Sequence, residues 1–182
     1  MPSLYRHSRR IFEATACGLF LLLAGWQIIG PVPTGLPDNG DFAKVLAGLN
    51  ISTSPGIEKT FPERYFSPQC LIGEKYHWVA QLPSSEFWVA KVAKRYALWF
   101  LPAGHFDLRV MGVLHVLLLS LALWLILRAY RPERLWIEAV AGAFLLFIFT
   151  DVEYIQFLST AYADTAAIVF FCIFVGGALN IW

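Results

Sequence analysis

The stretch VMGVLHVLLLSLALWLIL, residues 110–127, contains no Asp, Glu, Lys or Arg and runs directly into Arg128. A helix rises about 1.5 Å per residue, so this stretch nearly spans a hydrocarbon core of roughly 30 Å. Three further apolar stretches accompany it: Ile11–Ile29, Leu135–Phe149 and Ala166–Trp182. The chain of 182 residues is 58% hydrophobic, with a mean hydropathy of +0.58, too apolar for an ordinary soluble domain. The expected fold is therefore all-α and polytopic, with about four transmembrane helices. The third stretch is short and carries Glu138 in its first turn. It is expected to be completed by the residues that follow, or to re-enter.

Charge orients these spans. Arg6, Arg9 and Arg10 precede the first span, and Arg128, Arg131 and Arg134 lie between the second and third. Lys and Arg collect on the cytoplasmic side of short loops, so the N-terminus is expected in the cytoplasm of a multi-pass cell-membrane protein. Residues 1–30 then form the cytoplasmic N-terminus and first span, 31–107 an extracytoplasmic loop, and 108–182 spans two to four. The first span offers no small-x-small cleavage site ahead of Pro31 and reads as an uncleaved signal anchor.

The net charge of +1 carries no message about nucleic acid and no basic run suggests such a partner, so none is expected. Cys17 and Cys172 lie in spans and Cys70 in the loop, which supports neither a disulfide framework nor a thiolate metal site. No nucleotide-binding glycine loop, nucleophile elbow or zinc-binding helix motif is present.

The loop holds eight of the ten prolines and balances seven basic against seven acidic residues. It is expected to pack on the membrane surface and the spans, because so proline-rich a segment is marginal alone. One helix is expected from about Asp41 to Gly48, after the turn sequence Pro37-Asp38-Asn39-Gly40, with Gly48 and Asn50 as stop signals. A second runs from Ser85 to Leu101 and ends at Pro102. Lys91, Lys94 and Arg95 share one face of it among aromatic residues, the signature of an interfacial helix. Three strand-like fragments, Tyr65-Phe66, Cys70-Leu71-Ile72 and Trp78-Val79-Ala80, have no assigned place.

Carboxylates beside a bilayer are costly and so are candidates for chemistry. Asp38 and Asp41, three residues apart around a tight turn, could bind a divalent cation or supply a general base; equally, they could start the turn and cap the helix. Asp151, Glu153 and Asp164, with Tyr162 and several hydroxyls, form a second acidic segment without Lys or Arg. Either a cation or cationic partner balances it, or the acids only cap helix ends. Lys91, Lys94 and Arg95 suit a lipid-borne phosphate or plain membrane anchoring. Arg109 could fork onto such a phosphate, pair with Asp107 or snorkel. A lone His115 within a span reads as a packing residue, and Glu138 as the i,i+4 partner of Arg134.

The order of these parts is one span, a loop opening with Asn39-Gly40-Asp41-Phe42, Phe106-Asp107-Leu108-Arg109 before the next span, then Asp151-Val152-Glu153-Tyr154 and Ser159-Thr160-Ala161-Tyr162-Ala163-Asp164. It resembles the N-terminal part of bacterial GT-C-type membrane glycosyltransferases linked to cell-surface glycan assembly. The resemblance spans almost the whole chain in layout, on short motifs. It implies transfer of a sugar from a polyprenyl-phosphate donor to a glycan or lipid acceptor outside the inner membrane. It further implies that Asp41 activates the acceptor or helps to hold a divalent cation such as Mg or Mn. Asp164, with Asp151 or Glu153, becomes the second acidic element, and Asp164 a second metal ligand. The second motif departs from the family form Asn-Ser-x-Tyr-x-Glu by ending in a shorter acid. Such enzymes have eight or more spans, so the chain is expected to be a fragment or to need a partner chain. The rival expectation is a non-catalytic membrane subunit or lipid-binding scaffold.

Overall fold

The computed structural model describes residues 3–31, 34–35, 42–53, 69–73, 84–130 and 134–181. In chain order these form α1 (Ser3–Ile29), α2 (Phe42–Leu46) with a 3₁₀ turn at Ala47–Leu49, β1 (Ile51–Thr53), β2 (Gln69–Ile72), α3 (Ser85–Phe100) and β3 (His105–Asp107). There follow α4 (Leu108–Ala129), α5 (Leu135–Phe149), α6 (Val152–Leu158) and α7 (Ala163–Ile181). Within α1, α4 and α7, the segments Tyr5–Ile29, Leu108–Ala129 and Asp164–Ile181 are long and apolar enough to cross a membrane.

Helix α4 is the centre of the bundle. Its buried positions include Met111, His115, Leu119, Ala122 and Leu123, and α1 meets it with the i,i+4 stripe Ala16, Phe20, Ala24 and Ile28. The two helices are antiparallel: Arg9 reaches the carbonyl of Leu127 and Cys17 that of Ser120. Helix α7 lies parallel to α4, with Asn180 Nδ2 donating to the Leu125 carbonyl at 2.8 Å. The bundle thus has an arginine-rich end and an opposite end that carries the loop.

Small residues set how closely these helices approach. A Cβ on Gly176 would come within 2.8 Å of Leu125 Cβ and 3.3 Å of the Ala122 carbonyl oxygen. Both belong to the stiff part of α4 and cannot swing aside. Gly176→Ala is therefore expected to loosen the α4–α7 contact by about 1–3 kcal/mol. Gly177→Ala, with nothing within 4 Å, should be neutral or stabilising by up to about 1 kcal/mol through helix propensity. Parallel denaturant titrations in detergent micelles compare the two.

The short third stretch behaves as its length demands. Fifteen residues of α5 cover about 22 Å, less than the core thickness. The chain breaks at Thr150 and Asp151, and α6 continues at 61° to α5. Gln27 Nε2 of α1 donates to the Thr150 carbonyl at 2.9 Å. Asp151 caps α6 by accepting from Glu153 N at 2.8 Å. Ile155 and Leu158 then turn into the core between α1 and α4. The pair α5–α6 makes a fourth crossing only as a bent span.

The loop adds a feature absent from the all-α expectation, a small antiparallel sheet in the order β1-β2-β3. Ile51 faces Ile72, and Cys70 faces Phe106. Ile51, Cys70 and Phe106 are buried against α2, α3 and the start of α4. Of the three strand-like fragments, Cys70-Leu71-Ile72 lies in β2; the other two fall outside the described residues. Asn50 ends the 3₁₀ turn in the left-handed region at φ 52, a conformation asparagine tolerates. Helix α3 starts with Ser84 Oγ accepting from Phe87 N, buries Val89, Ala90, Ala93 and Ala97, and exposes Trp88, Val92, Trp99 and Phe100. An exposed aromatic face opposite an alanine-lined one suits a helix lying along a membrane surface.

Candidate functional site

At the loop end, α6 and α7 are joined by Ser159-Thr160-Ala161-Tyr162. This turn is held by its own hydroxyls. The Phe157 carbonyl, left open at the end of α6, accepts from Thr160 Oγ1 at 2.5 Å and from Thr165 Oγ1 at 3.3 Å. Asp164 follows in the first turn of α7, where a carboxylate is favoured by the helix dipole, and it is exposed. Glu153 is also exposed and accepts from Gln156 Nε2 at 3.3 Å. Asp151 is occupied in capping α6.

Tyr162 connects this turn to the loop. Its ring meets that of Phe42 edge-on at 5.2 Å, and Phe42 opens α2. Asp38 and Asp41 lie outside the described residues; Phe42 directly follows Asp41 in the sequence. The elements after the first acidic turn and before the second acid therefore share one rim.

Beneath the rim sits a buried polar knot that the sequence did not disclose. Glu86, from the first turn of α3, accepts the Ala166 N–H of α7 on Oε2 at 2.9 Å. The same oxygen stands 3.3 Å from His115 Nε2 of α4. His115 Nδ1 lies 2.7 Å from the Leu158 carbonyl at the end of α6. A carbonyl only accepts, so the proton is on Nδ1. Glu86 and His115 are both 0% exposed. Glu86 Oε1 and Ser159 Oγ have no hydrogen-bond partner among the described residues. Both imidazole nitrogens lie against protein atoms and both side chains are fully buried among the described residues, which suits a structural tie. It positions α7, and with it Asp164. The unplaced signal was His115 itself, a polar ring in an apolar span; Glu86 looked like one loop acid among seven.

The basic residues are brought together less than their spacing suggests. Lys94 donates to the Leu49 carbonyl and ties α3 to the 3₁₀ turn. Lys91 and Arg95 remain exposed, over the rings of Trp88 at 4.8 Å and Trp99 at 5.6 Å. Arg109 forks onto Asp107 with contacts of 2.6–3.0 Å, one of the alternatives its position allowed. Among the described residues, which do not include Asp38 and Asp41, no three His, Cys, Asp or Glu side chains could hold a metal ion together.

A protein-family model described as the YfdI N-terminal transmembrane domain matches residues 7–182. Neither a curated protein nor a solved structure matches the chain. Together with its long apolar helices, the match makes this a multi-pass membrane protein.

Proposed function

We propose a function from the premise that the chain belongs to the YfdI N-terminal transmembrane domain family. It is the N-terminal part of a GT-C-type glycosyltransferase that moves a sugar from a polyprenyl-phosphate donor to an extracytoplasmic glycan or lipid acceptor. The arginine-rich end faces the cytoplasm and the loop end faces outward, in the inner membrane. The observation that carries this reading is the Phe42–Tyr162 contact, which joins the helix after Asp41 to the turn before Asp164.

The chemistry follows from the residue types. The acceptor hydroxyl attacks the anomeric carbon while the bond from that carbon to the phosphate oxygen breaks. A carboxylate, Asp41 or Asp164, takes the hydroxyl proton as the new bond forms. The phosphate leaves with the electron pair, and exposed Lys91 and Arg95 favour its charge. Arg109, forked onto Asp107, would have to exchange that partner to take part. A lipid-borne donor needs cations at headgroup level, where the aromatic face of α3 would hold these two. That same face supports a second reading, a non-catalytic lipid-binding scaffold.

Transfer of labelled sugar in membranes from cells making the protein in its natural context separates the two. Asp41→Asn and Asp164→Asn are each expected to lower transfer about a hundredfold, the smaller end of acid–base contributions, with membrane insertion unchanged. Undiminished transfer in both variants would leave only the scaffold.

A further inference from the structure

The arginine-rich end holds a cleft for which the transfer reaction has no use. It lies between α1 and the last turns of α4 and encloses about 860 Å³, a size that accepts a small ligand. Arg6, Arg9 and Arg10 line it from α1 and Arg128 from α4. Their convergence has a simple cause: positions i, i+3 and i+4 share a helix face, and antiparallel packing brings the end of α4 alongside. Glu13 also lines the cleft and pairs with Arg9 at 3.1 Å. The lining thus sets four cations against one carboxylate, or against two if Glu138 behind Arg9 is included. The excess is positive either way.

The deeper wall is of another kind. Ala14, Cys17, Leu121 and Trp124 line it, and Cys17 Sγ closes on the Ser120 carbonyl at 3.9 Å. From Arg6 to Cys17 the helix descends about 16 Å, so a basic mouth leads to an apolar floor along the bundle wall. The Arg128 guanidinium stands 5.0 Å from the Trp124 ring centroid, at the junction of the two. A phosphate monoanion would satisfy the mouth alone. An amphiphile satisfies both, and basic pockets between helices are where anionic headgroups bind.

We infer that this cleft binds an anionic phospholipid, its phosphate among Arg6, Arg10 and Arg128 and an acyl chain along the Cys17–Trp124 floor. The site lies at the opposite end of the bundle from Asp164 and does not depend on the transferase reading.

Native mass spectrometry of the full chain in neutral detergent tests this, with dioleoylphosphatidylglycerol and dioleoylphosphatidylcholine as probes. The phosphatidylglycerol is expected to be retained at least about tenfold more strongly, since each basic side chain near a headgroup contributes measurably. The combined variant R6Q/R10Q/R128Q should lose about tenfold or more of that retention, whereas Lys44→Gln, an exposed lysine at the other end, should lose none. Ala14→Trp fills the floor without changing charge and should also weaken retention about tenfold. Arg9 is left intact because it ties helices together. Equal retention of the two lipids, or equal loss in the two arginine and lysine variants, would overturn the assignment. So would full retention in Ala14→Trp, or displacement of the lipid by about 10 mM inorganic phosphate, either of which would indicate a small-anion site.

Discussion

Arg9→Ala is expected to destabilise the bundle by about 3–5 kcal/mol, the cost of removing one partner from a buried ion pair. Arg9 Nε lies 3.0 Å from Glu138 Oε1, and Glu138 is 0% exposed. The remaining donors of the same guanidinium close the end of α4. Nη2 donates to the carbonyls of Leu127 and Arg128 at 2.9 Å and of Tyr130 at 3.0 Å, groups that no helical N–H can reach. Alanine would leave a carboxylate buried without its cation and strip three carbonyls of their donor. Arg9→Lys should recover less than half of the loss, because a single ammonium cannot face the carboxylate and three carbonyls together. Replacing both partners by leucine should be far milder than either single change, since an apolar pair leaves no charge stranded. Unfolding in mixed micelles with increasing SDS measures all three.

That contact also marks the limit of what the residues disclose in order. Glu138 has Arg134 four positions before it, and a local pair was the natural expectation; the structure corrects it, because Arg134 stays exposed while the buried Glu138 pairs with Arg9, 129 residues away in sequence. Apolar runs without charge, such as residues 110–127, specify a helix by composition alone. The ends of α3 and of the 3₁₀ turn were legible too, because Pro102 and Asn50 act through their own backbone. The sheet was legible only in part. Cys70-Leu71-Ile72 read as strand-like and lies in β2, but the three-residue β1 and β3 carry too little alternation to detect, and the pairing of Ile51 with Ile72 and Cys70 with Phe106 is set by the core they cover. The break between α5 and α6 is intermediate: a stretch too short to cross was visible, but the 61° bend depends on α1 and α4 receiving Ile155 and Leu158. At the site, Tyr162 and Asp164 could be assigned to the rim from the spans around them. The fate of Lys94 could not, because a carbonyl 45 residues away decides it.

Glu86 offers the second large effect and the sharper separation of causes. Glu86→Ala should cost about 3–5 kcal/mol, because it removes the acceptor of the Ala166 N–H and leaves His115 facing an empty space. His115 Nε2 and Glu86 Oε2 are 3.3 Å apart, and with Nδ1 protonated toward Leu158 both are acceptors unless one more proton lies between them. Glu86→Gln keeps the acceptor of the Ala166 N–H if its amide oxygen takes the place of Oε2, but that one atom also faces His115 Nε2, which is then left without a donor. Its expected cost is about 1–3 kcal/mol, that of one buried group left unsatisfied, and so below that of alanine. If charge rather than hydrogen bonding holds the knot, glutamine and alanine should instead fail alike. On the proposed transfer reading Glu86 serves only to fix the start of α7, so Glu86→Gln should keep near-normal sugar transfer in the folded protein, whereas Asp164→Asn should lose it with little change in stability. Glutamine at 86 that abolished transfer in a fully stable protein would make the buried pair part of the chemistry and not its support.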